Sequence, residues 1–350
     1  GFGNTADAAG QAGFGATLAA NTSPRFGTAS GGSTTLDMGT ANDMATAVVV
    51  QPDGKVILGG YTSGDFALAR YQRDGTIDTT FGSAGKVTTD FGATDAGFDV
   101  LLQGDGKIVV VGTSNGNFAA ARYHADGSLD TTFGTAGKTT VDVSGTDGGE
   151  GGALHADGKI VIGGWATVGG KTVFAAVRLT TTGALDTSFN GTGKVTTAVG
   201  SVNDNAWTTL VQADGKIVLA GRSVVGSYEN TAVVRYNTDG SLDTGWGGTG
   251  IVAVSVSAQT DAANAIAQQA DGKLVIVGHA DSVGANAFDF SVLRFNTDGT
   301  LDASFSGDGM LTTDFGGGSN GDYGGGVAVQ SDGKIVVSGD AYQSSYDFAL

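Results

Sequence analysis

Aspartates recur at a fixed distance from a repeated tripeptide in this chain, and their carboxylate oxygens could bind a cation. An aspartate stands ten residues ahead of the Asp of each Asp-Gly-Lys tripeptide, which occurs six times. These aspartates are Asp43, Asp95, Asp147, Asp204, Asp261 and Asp322. Six carboxylates brought to one place repel one another, which raises pKa values or recruits a cation such as Ca²⁺. The alternative is that each carboxylate accepts hydrogen bonds from backbone N–H groups and orders its own loop.

The Asp-Gly-Lys tripeptide marks an internal repeat. Its aspartates are Asp53, Asp105, Asp157, Asp214, Asp271 and Asp332. Consecutive copies lie 52 to 61 residues apart. A period of about 50 residues with strand-like content is typical of propeller blades.

One repeat contains four short strand patterns, which we name a to d. In the first repeat they are "ATAVVVQ" (45–51), "KVILGG" (55–60), "FALARY" (66–71) and "KVTTDF" (86–91). Asp-Gly between a and b is a strong signal for a tight hairpin turn. The other connections are rich in turn residues, and helical periodicity is absent.

The repeat predicts an all-β fold, a six-bladed β-propeller with four-stranded antiparallel blades. Strand a carries the smallest side chains, as in "GGALH" (151–155), and small residues suit the crowded axis. We therefore expect strand a to be innermost, because blades converge there. The six aspartates would then form a ring at one mouth of the central channel. That ring is the predicted metal site.

The two ends of the chain predict how the propeller closes. The sequence stops at 347–350, inside the sixth strand c, whereas "STTLDM" (33–38) reads as a strand d without a preceding a, b or c. We expect 33–38 to complete the sixth blade, which would remove open sheet edges. The predicted domain spans 22–350, and 1–21 form a Gly/Ala-rich segment outside it. The stop within a strand indicates the remainder of a longer parent chain.

A second set of residues that recurs at fixed repeat positions predicts an ion pair that holds the loop after strand c. In the second repeat, Arg122 is followed eight residues later by Asp130, and Phe133 comes three residues after that. The same offsets recur in five repeats. Alternating oxygens within 237–243 also resemble the start of a calcium loop, but its late Glu is missing. The fixed Arg-to-Asp offset therefore favours a structural pair.

Loops of variable length predict a binding face. The connections from b to c range from "YTSGD" to "HADSVGANAFD" (279–289), and they share a face with the connections from d to a. Variable loops on a rigid scaffold are where binding usually occurs. The candidate ligand-binding residues on this face are Trp165, Trp207, Tyr228, His279, Tyr323, Tyr342 and Tyr346.

Composition and missing motifs exclude several classes of function. The formal net charge of −17 disfavours nucleic acid and anionic membrane surfaces as partners. Cysteine is absent, and no apolar run is long enough to span a membrane. The three histidines occupy different repeat positions, and no nucleophile elbow or phosphate loop is found. No catalytic residue is therefore predicted, and no cofactor beyond Ca²⁺.

Blocks such as "VVVQPDGKVILGG" and "RFNTDGTLDASF" resemble the delta-60 repeat, a bacterial family of β-propeller domains of unknown function. The resemblance covers about residues 22–350 and recurs in every repeat. It implies a propeller in exported or surface-associated bacterial proteins, so an extracellular or cell-surface location is expected. It implies no catalytic residues.

Three functions remain open at this point. The first is a non-enzymatic interaction or adhesion module that binds a glycan or protein partner through the variable-loop face. The second is a glycan lyase or hydrolase with carboxylates at the channel mouth. The third is a purely structural spacer. Fold alone does not choose between them.

Overall fold

The structure is a computed structural model that describes residues 36–39, 43–200, 202–281, 288–315, 321–342 and 346–350. Its elements are β-strands in six sheets, so the predicted all-β, six-bladed propeller is confirmed. Among the described residues, no helix is long and apolar enough to cross a membrane. The predicted segment 1–21 lies outside the described residues.

Each blade is an antiparallel sheet whose strand order follows the chain. Blade 1 comprises β1 (Asp43–Val50), β2 (Val56–Thr62), β3 (Asp65–Tyr71) and β4 (Lys86–Thr89). Blade 2 comprises β5 (Asp95–Leu102), β6 (Ile108–Ser114), β7 (Asn117–Tyr123) and β8 (Lys138–Val141). Blade 3 comprises β9 (Asp147–Leu154), β10 (Ile160–Val168), β11 (Lys171–Leu179) and β12 (Lys194–Thr197).

The second half of the chain repeats this order. Blade 4 comprises β13 (Val202–Val211), β14 (Ile217–Val225), β15 (Tyr228–Tyr236) and β16 (Ile251–Val254). Blade 5 comprises β17 (Asp261–Gln268), β18 (Leu274–Asp281), β19 (Phe288–Phe295) and β20 (Met310–Thr313). Blade 6 comprises β21 (Tyr323–Val329), β22 (Ile335–Tyr342) and β23 (Tyr346–Ala349) among the described residues.

The core lies between neighbouring blades. Strands a of consecutive blades contact one another, which places them innermost as predicted. Between blades 1 and 2, Ile57 and Phe66 pack with Val100 and Ile108, and all four are buried. Burying a side chain of this size contributes about 1.5–3 kcal/mol. Each blade therefore depends on its neighbour, because one sheet cannot cover its own two faces.

The predicted ion pair is confirmed and also ties neighbouring blades together. Arg122 Nε lies 2.8 Å from Asp130 Oδ2, and the guanidinium stacks 4.7 Å from the centre of the Phe133 ring. Arg122 Nη1 donates to the Thr181 carbonyl of blade 3. The same ion pair joins Arg70 to Asp78, Arg178 to Asp186, Arg235 to Asp243 and Arg294 to Asp302.

The described end of the N-terminal segment occupies the place of the residues that directly follow a strand d, as Asp90 and Phe91 do in blade 1. Met38 N donates to Asp43 Oδ2 at 2.7 Å, as Phe91 N does to Asp95 Oδ2. Lys86 Nζ donates to the Asp37 carbonyl, the counterpart of a bond that blade 2 makes to blade 1. Residues 33–35 lie outside the described part, so completion of the sixth blade by this segment stays a prediction.

The outward faces of the first and last blades are less buried than the faces between blades. Phe348 is fully exposed, whereas Phe66, Phe118 and Phe174 at the same repeat position are fully buried. Within the described ranges, no strand of blade 6 packs extensively against a strand of blade 1.

Candidate functional site

A β-bulge interrupts strand a of every blade at the same position. The register with strand b shifts there, seven residues ahead of the turn aspartate. Bulges bend a strand and re-aim a side chain, and they are common beside functional sites. The bulged residues are Thr46, Phe98, Glu150, Trp207, Asn264 and Gly325. They differ in every blade, whereas the preceding residue is always Ala or Gly and the residue three positions ahead is always Asp.

A glycine on strand b makes room for each bulge. A Cβ built on Gly112 would lie 2.0 Å from the carbonyl oxygen of Ala96, far inside van der Waals contact. The carbonyl of strand a approaches this closely in every blade. The glycines are Gly60, Gly112, Gly164, Gly221, Gly278 and Gly339. Only a residue without a side chain fits this position.

The next position on strand b faces the bulges. Its residues are Tyr61, Thr113, Trp165, Arg222, His279 and Asp340. We call these residues and the six bulged residues the inner rim. The inner rim lies on the innermost strands, towards the variable-loop face. Its side chains are aromatic, acidic, basic and amide, so it offers mixed chemistry at one height around the axis.

Blades 1 to 3 contribute an acidic and aromatic half of the inner rim. Tyr61 and Phe98 contact edge to face, with ring centroids 6.1 Å apart. Trp165 Nε1 donates to Glu150 Oε1 at 3.3 Å. Burial raises the pKa of Glu150 to about 7. Burial also raises the pKa of Asp99 to about 7, although Gly152 N donates to this carboxylate.

Blades 4 to 6 contribute a basic and aromatic half. The Arg222 guanidinium stacks 5.0 Å from the Trp207 ring centre and pairs with Glu229 at 2.7 Å. Asn264 Nδ2 lies 3.3 Å from His279 Nδ1. Burial, and then the charge of Arg222, lower the pKa of His279 to about 4. His279 is therefore neutral at pH 7 and can exchange hydrogen bonds without carrying charge.

Aromatic rings close around His279. The His279 and Phe288 ring centroids are 4.9 Å apart, and the His279 and Tyr323 centroids are 5.1 Å apart. Phe288 and Tyr323 also touch, at 5.3 Å. The three rings come from two blades, so this cluster exists only because blades 5 and 6 pack together.

The predicted aromatic face divides between the inner rim and the loops. Trp165, Trp207 and His279 belong to the inner rim, and Tyr323 packs against it. Tyr228 is exposed at the b–c connection of blade 4. Tyr342 ends strand b of blade 6, where its backbone pairs with that of Tyr346. The structure thus brings four of the seven residues to the inner rim.

The six predicted ring aspartates each bond to their own loop. Val143 N donates to Asp147 at 2.5 Å, Val199 N to Asp204 at 2.8 Å, and the other blades repeat this bond. Loop ordering, one of the two alternatives, is therefore confirmed. A cation bound across the channel mouth stays a prediction. Among the described residues, acidic groups close enough to share an ion combine one ring aspartate with two local ones.

Glu150, Asp99, Arg222 and Asn264 were not predicted from the sequence. Glu150 stands in a column that reads Thr, Phe, Glu, Trp, Asn and Gly along the repeats. The signal in the sequence was that this position holds a different residue in every repeat, although the position before it is always Ala or Gly. The bulge that sets each of these residues beside strand b could not be seen in the sequence.

A depression of about 500 Å³ lies on the opposite face, between blades 3 and 4. Its charged lining residues include Lys159 and Arg178, and both already pair with Asp186 at 3.2 and 2.7 Å. These groups belong to the repeated ion-pair network, so the inner rim is the better candidate site.

The indole N–H resonance of Trp165 is expected to titrate with a midpoint near pH 7, because it donates to Glu150. A folded pKa above the unfolded value means that ionisation costs stability between about pH 4.3 and 7. Glu150→Gln should remove the titration and be more stable than the parent above pH 7. ¹H–¹⁵N spectra from pH 5 to 9 measure this, with Trp246 as the internal control. A flat Trp165 resonance would contradict the raised pKa.

Comparisons with known proteins agree with the repeat. The family model described as domain of unknown function (DUF5122) beta-propeller matches residues 51–81, 103–133, 155–189, 212–245, 269–305 and 330–350, more than half of the chain. A comparison with the curated proteins finds no match.

Solved propellers resemble the chain distantly. An ulvan lyase bound to a GlcA–Rha3S saccharide is 10% identical with a TM-score of 0.44, covering 87% of this chain and 77% of that one. Drosophila semaphorin 1b is 12% identical with a TM-score of 0.39, covering 74% and 55%. A gluconolactonase from Xanthomonas campestris is 14% identical with a TM-score of 0.37, covering 66% and 68%. From the repeated family match, the chain belongs to the DUF5122 family of β-propeller domains of unknown function.

Proposed function

We propose that this protein is a non-enzymatic binding module that takes a glycan on the inner rim. The observation that carries the proposal is the variation of the bulged residues within blades whose hairpin turns and loop aspartates repeat. Residues that only hold blades together recur along the chain, as the Arg–Asp pair does in blades 1 to 5. A ligand without sixfold symmetry requires different side chains around the axis.

The chemistry of the inner rim favours a neutral glycan. Sugar rings present apolar C–H faces that pack on aromatic side chains, and hydroxyls that need donors and acceptors. Trp207, Trp165 and Tyr61 supply aromatic faces, while Asn264 and neutral His279 supply hydrogen bonds. The net charge of −17 disfavours a strongly anionic chain. An extracellular or cell-surface location, as the family resemblance implies, would give access to such a ligand.

Trp207→Ala is expected to weaken binding of a neutral hexasaccharide at least tenfold, because aromatic anchors dominate binding energy. Calorimetric titration with cellohexaose, xylohexaose, mannohexaose and laminarihexaose measures the affinity. Tyr228→Ala is the matched control, since this exposed tyrosine lies in the same blade but outside the inner rim. The control should change the affinity less than twofold. Equal losses for both variants would contradict the inner rim as the site, and a protein partner on the loops would then be favoured.

A second candidate is a glycan lyase or hydrolase, and the two carboxyl groups with raised pKa favour it. Near pH 7, Glu150 and Asp99 are each divided between acid and base forms. Glycosidases use two carboxyl groups as acid and base, and acid–base catalysis is most efficient when the pKa of the group lies near the working pH. Release of reducing ends from the same hexasaccharides, lost in Glu150→Gln, would support an enzyme. If the protein neither binds nor cleaves these hexasaccharides, a structural spacer is favoured.

A further inference from the structure

We propose that Asp65, Asp90 and Asp95 form a divalent-cation site between blades 1 and 2 that takes Ca²⁺. Asp65 begins strand c of blade 1, Asp90 follows strand d of that blade, and Asp95 begins strand a of blade 2. One oxygen from each carboxylate lies within 4.8 Å of the other two. Oxygens bound to one Ca²⁺ at about 2.4 Å lie no farther apart than about 4.8 Å.

An orphaned buried oxygen points to a ligand in this group. Asp95 is fully buried, and its Oδ1 has no hydrogen-bond partner. Its Oδ2 accepts from Phe91 N at 2.7 Å. The equivalent carboxylates in blades 1 and 4 do have such a donor. The Thr62 hydroxyl donates to Asp43 Oδ1 and the Ser223 hydroxyl donates to Asp204 Oδ1, both at 2.6 Å. A buried carboxylate oxygen without a donor is costly, and a cation satisfies it.

The charges of the group are uncompensated by protein cations. Within the described part of the chain, no Lys or Arg forms a salt bridge with these carboxylates; Lys138 Nζ donates to the Asp90 backbone carbonyl instead, at 2.8 Å. Three like charges at this distance favour a divalent cation. Oxygen donors without sulfur or imidazole select Ca²⁺ or Mg²⁺ over transition metals. Ca²⁺ accepts flexible coordination by carboxylates, whereas Mg²⁺ demands a near-ideal octahedron.

Two other pairs of neighbouring blades carry acidic groups at the positions equivalent to Asp65, Asp90 and Asp95. Between blades 2 and 3 the position of Asp65 is taken by Asn117, which leaves two acids, Asp142 and Asp147. Between blades 5 and 6 three acids recur: Asp289, Asp314 and Asp322. There, however, Asp322 Oδ1 already accepts from Tyr342 N at 2.9 Å. The orphaned oxygen thus distinguishes the group at Asp95 from both counterparts.

Titration of chelator-treated protein with CaCl₂, followed by calorimetry and by thermal unfolding, tests the site. We expect one Ca²⁺ per chain and a melting temperature that rises with Ca²⁺ and returns with EDTA. Asp65→Asn and Asp90→Asn should each weaken binding at least tenfold. Both should fold, because Asn117 and Asn230 stand at the position of Asp65 in other blades and Asp90 is exposed.

Asp142→Asn and Asp314→Asn are the matched controls, and each should change the Ca²⁺ affinity less than twofold. No binding of Ca²⁺ to the parent protein would overturn the proposal. So would an equal loss of affinity in either control, since binding would then lie elsewhere on this face. Tighter binding of Mg²⁺ than of Ca²⁺ would overturn the choice of ion.

Discussion

Asp130→Asn is expected to lower the free energy of unfolding by about 3–5 kcal/mol, because it leaves the buried Arg122 guanidinium without its carboxylate. Asp130 is almost fully buried, and its Oδ2 lies 2.8 Å from Arg122 Nε and 3.1 Å from Lys107 Nζ. Its Oδ1 accepts from the Thr132 hydroxyl at 2.6 Å. Asparagine keeps the shape but removes the charge. Urea unfolding of parent and variant at pH 7 measures the difference.

The same carboxylate predicts how stability depends on pH. Burial tends to raise the pKa of Asp130, but hydrogen bonds from Thr132 and Lys107 outweigh it and hold the pKa well below its usual range. A folded pKa below the unfolded value contributes stability above about pH 4, and that stability is lost as pH falls further. Asp130→Asn should therefore show a shallower loss of stability on acidification than the parent protein.

Asp105→Asn is the matched control for Asp130→Asn. Asp105 lies in the same blade and loses the same charge, but its side chain is 58% exposed. Its bond from Lys107 N survives, because the asparagine oxygen also accepts. The control should stay within about 0.5 kcal/mol of the parent protein. A loss in Asp130→Asn no larger than in the control would refute the buried ion pair as a main source of stability.

Gly112→Ala is expected to lower the free energy of unfolding by about 3 kcal/mol. The new methyl group would lie 2.0 Å from the Ala96 carbonyl and 2.9 Å from the Gly97 Cα, so the backbone of strand a must move. Overpacking of this kind costs about 1–3 kcal/mol, and backbone contacts give way least. Because the displaced segment precedes the bulge at Phe98, we also expect weaker contact between Phe98 and Tyr61.

Gly104→Ala is the control for the glycine variant. A Cβ on Gly104 meets nothing within 4 Å, and three other repeats carry alanine there: Ala156, Ala213 and Ala270. This change should leave stability unchanged or raise it slightly, by restricting the unfolded chain. Urea unfolding of both variants measures the contrast. Equal stabilities would show that the bulge does not require a glycine at position 112.

Most of the blade could be predicted from the sequence because its determinants are local. Asp53-Gly54 specifies a hairpin, and alternating or β-branched residues on either side specify strands. The repeat itself then counts the blades. The Arg122–Asp130 pair was predictable for a related reason: a fixed offset of eight residues within one repeat brings the two side chains together wherever the loop closes.

The inner rim required the tertiary structure. Glu150 and Trp207 lie 57 residues apart, and no local pattern in the sequence shows that both occupy bulges of an innermost strand. Their environment also depends on packing: the pKa of Glu150 is raised by burial among neighbouring blades, and that of His279 is lowered in the same way. Likewise, the orphaned oxygen of Asp95 is visible only once its donors are counted in three dimensions. Turn chemistry and periodicity in the sequence therefore determined the propeller, whereas blade-to-blade distances, set by side-chain packing, decided where its chemistry converges.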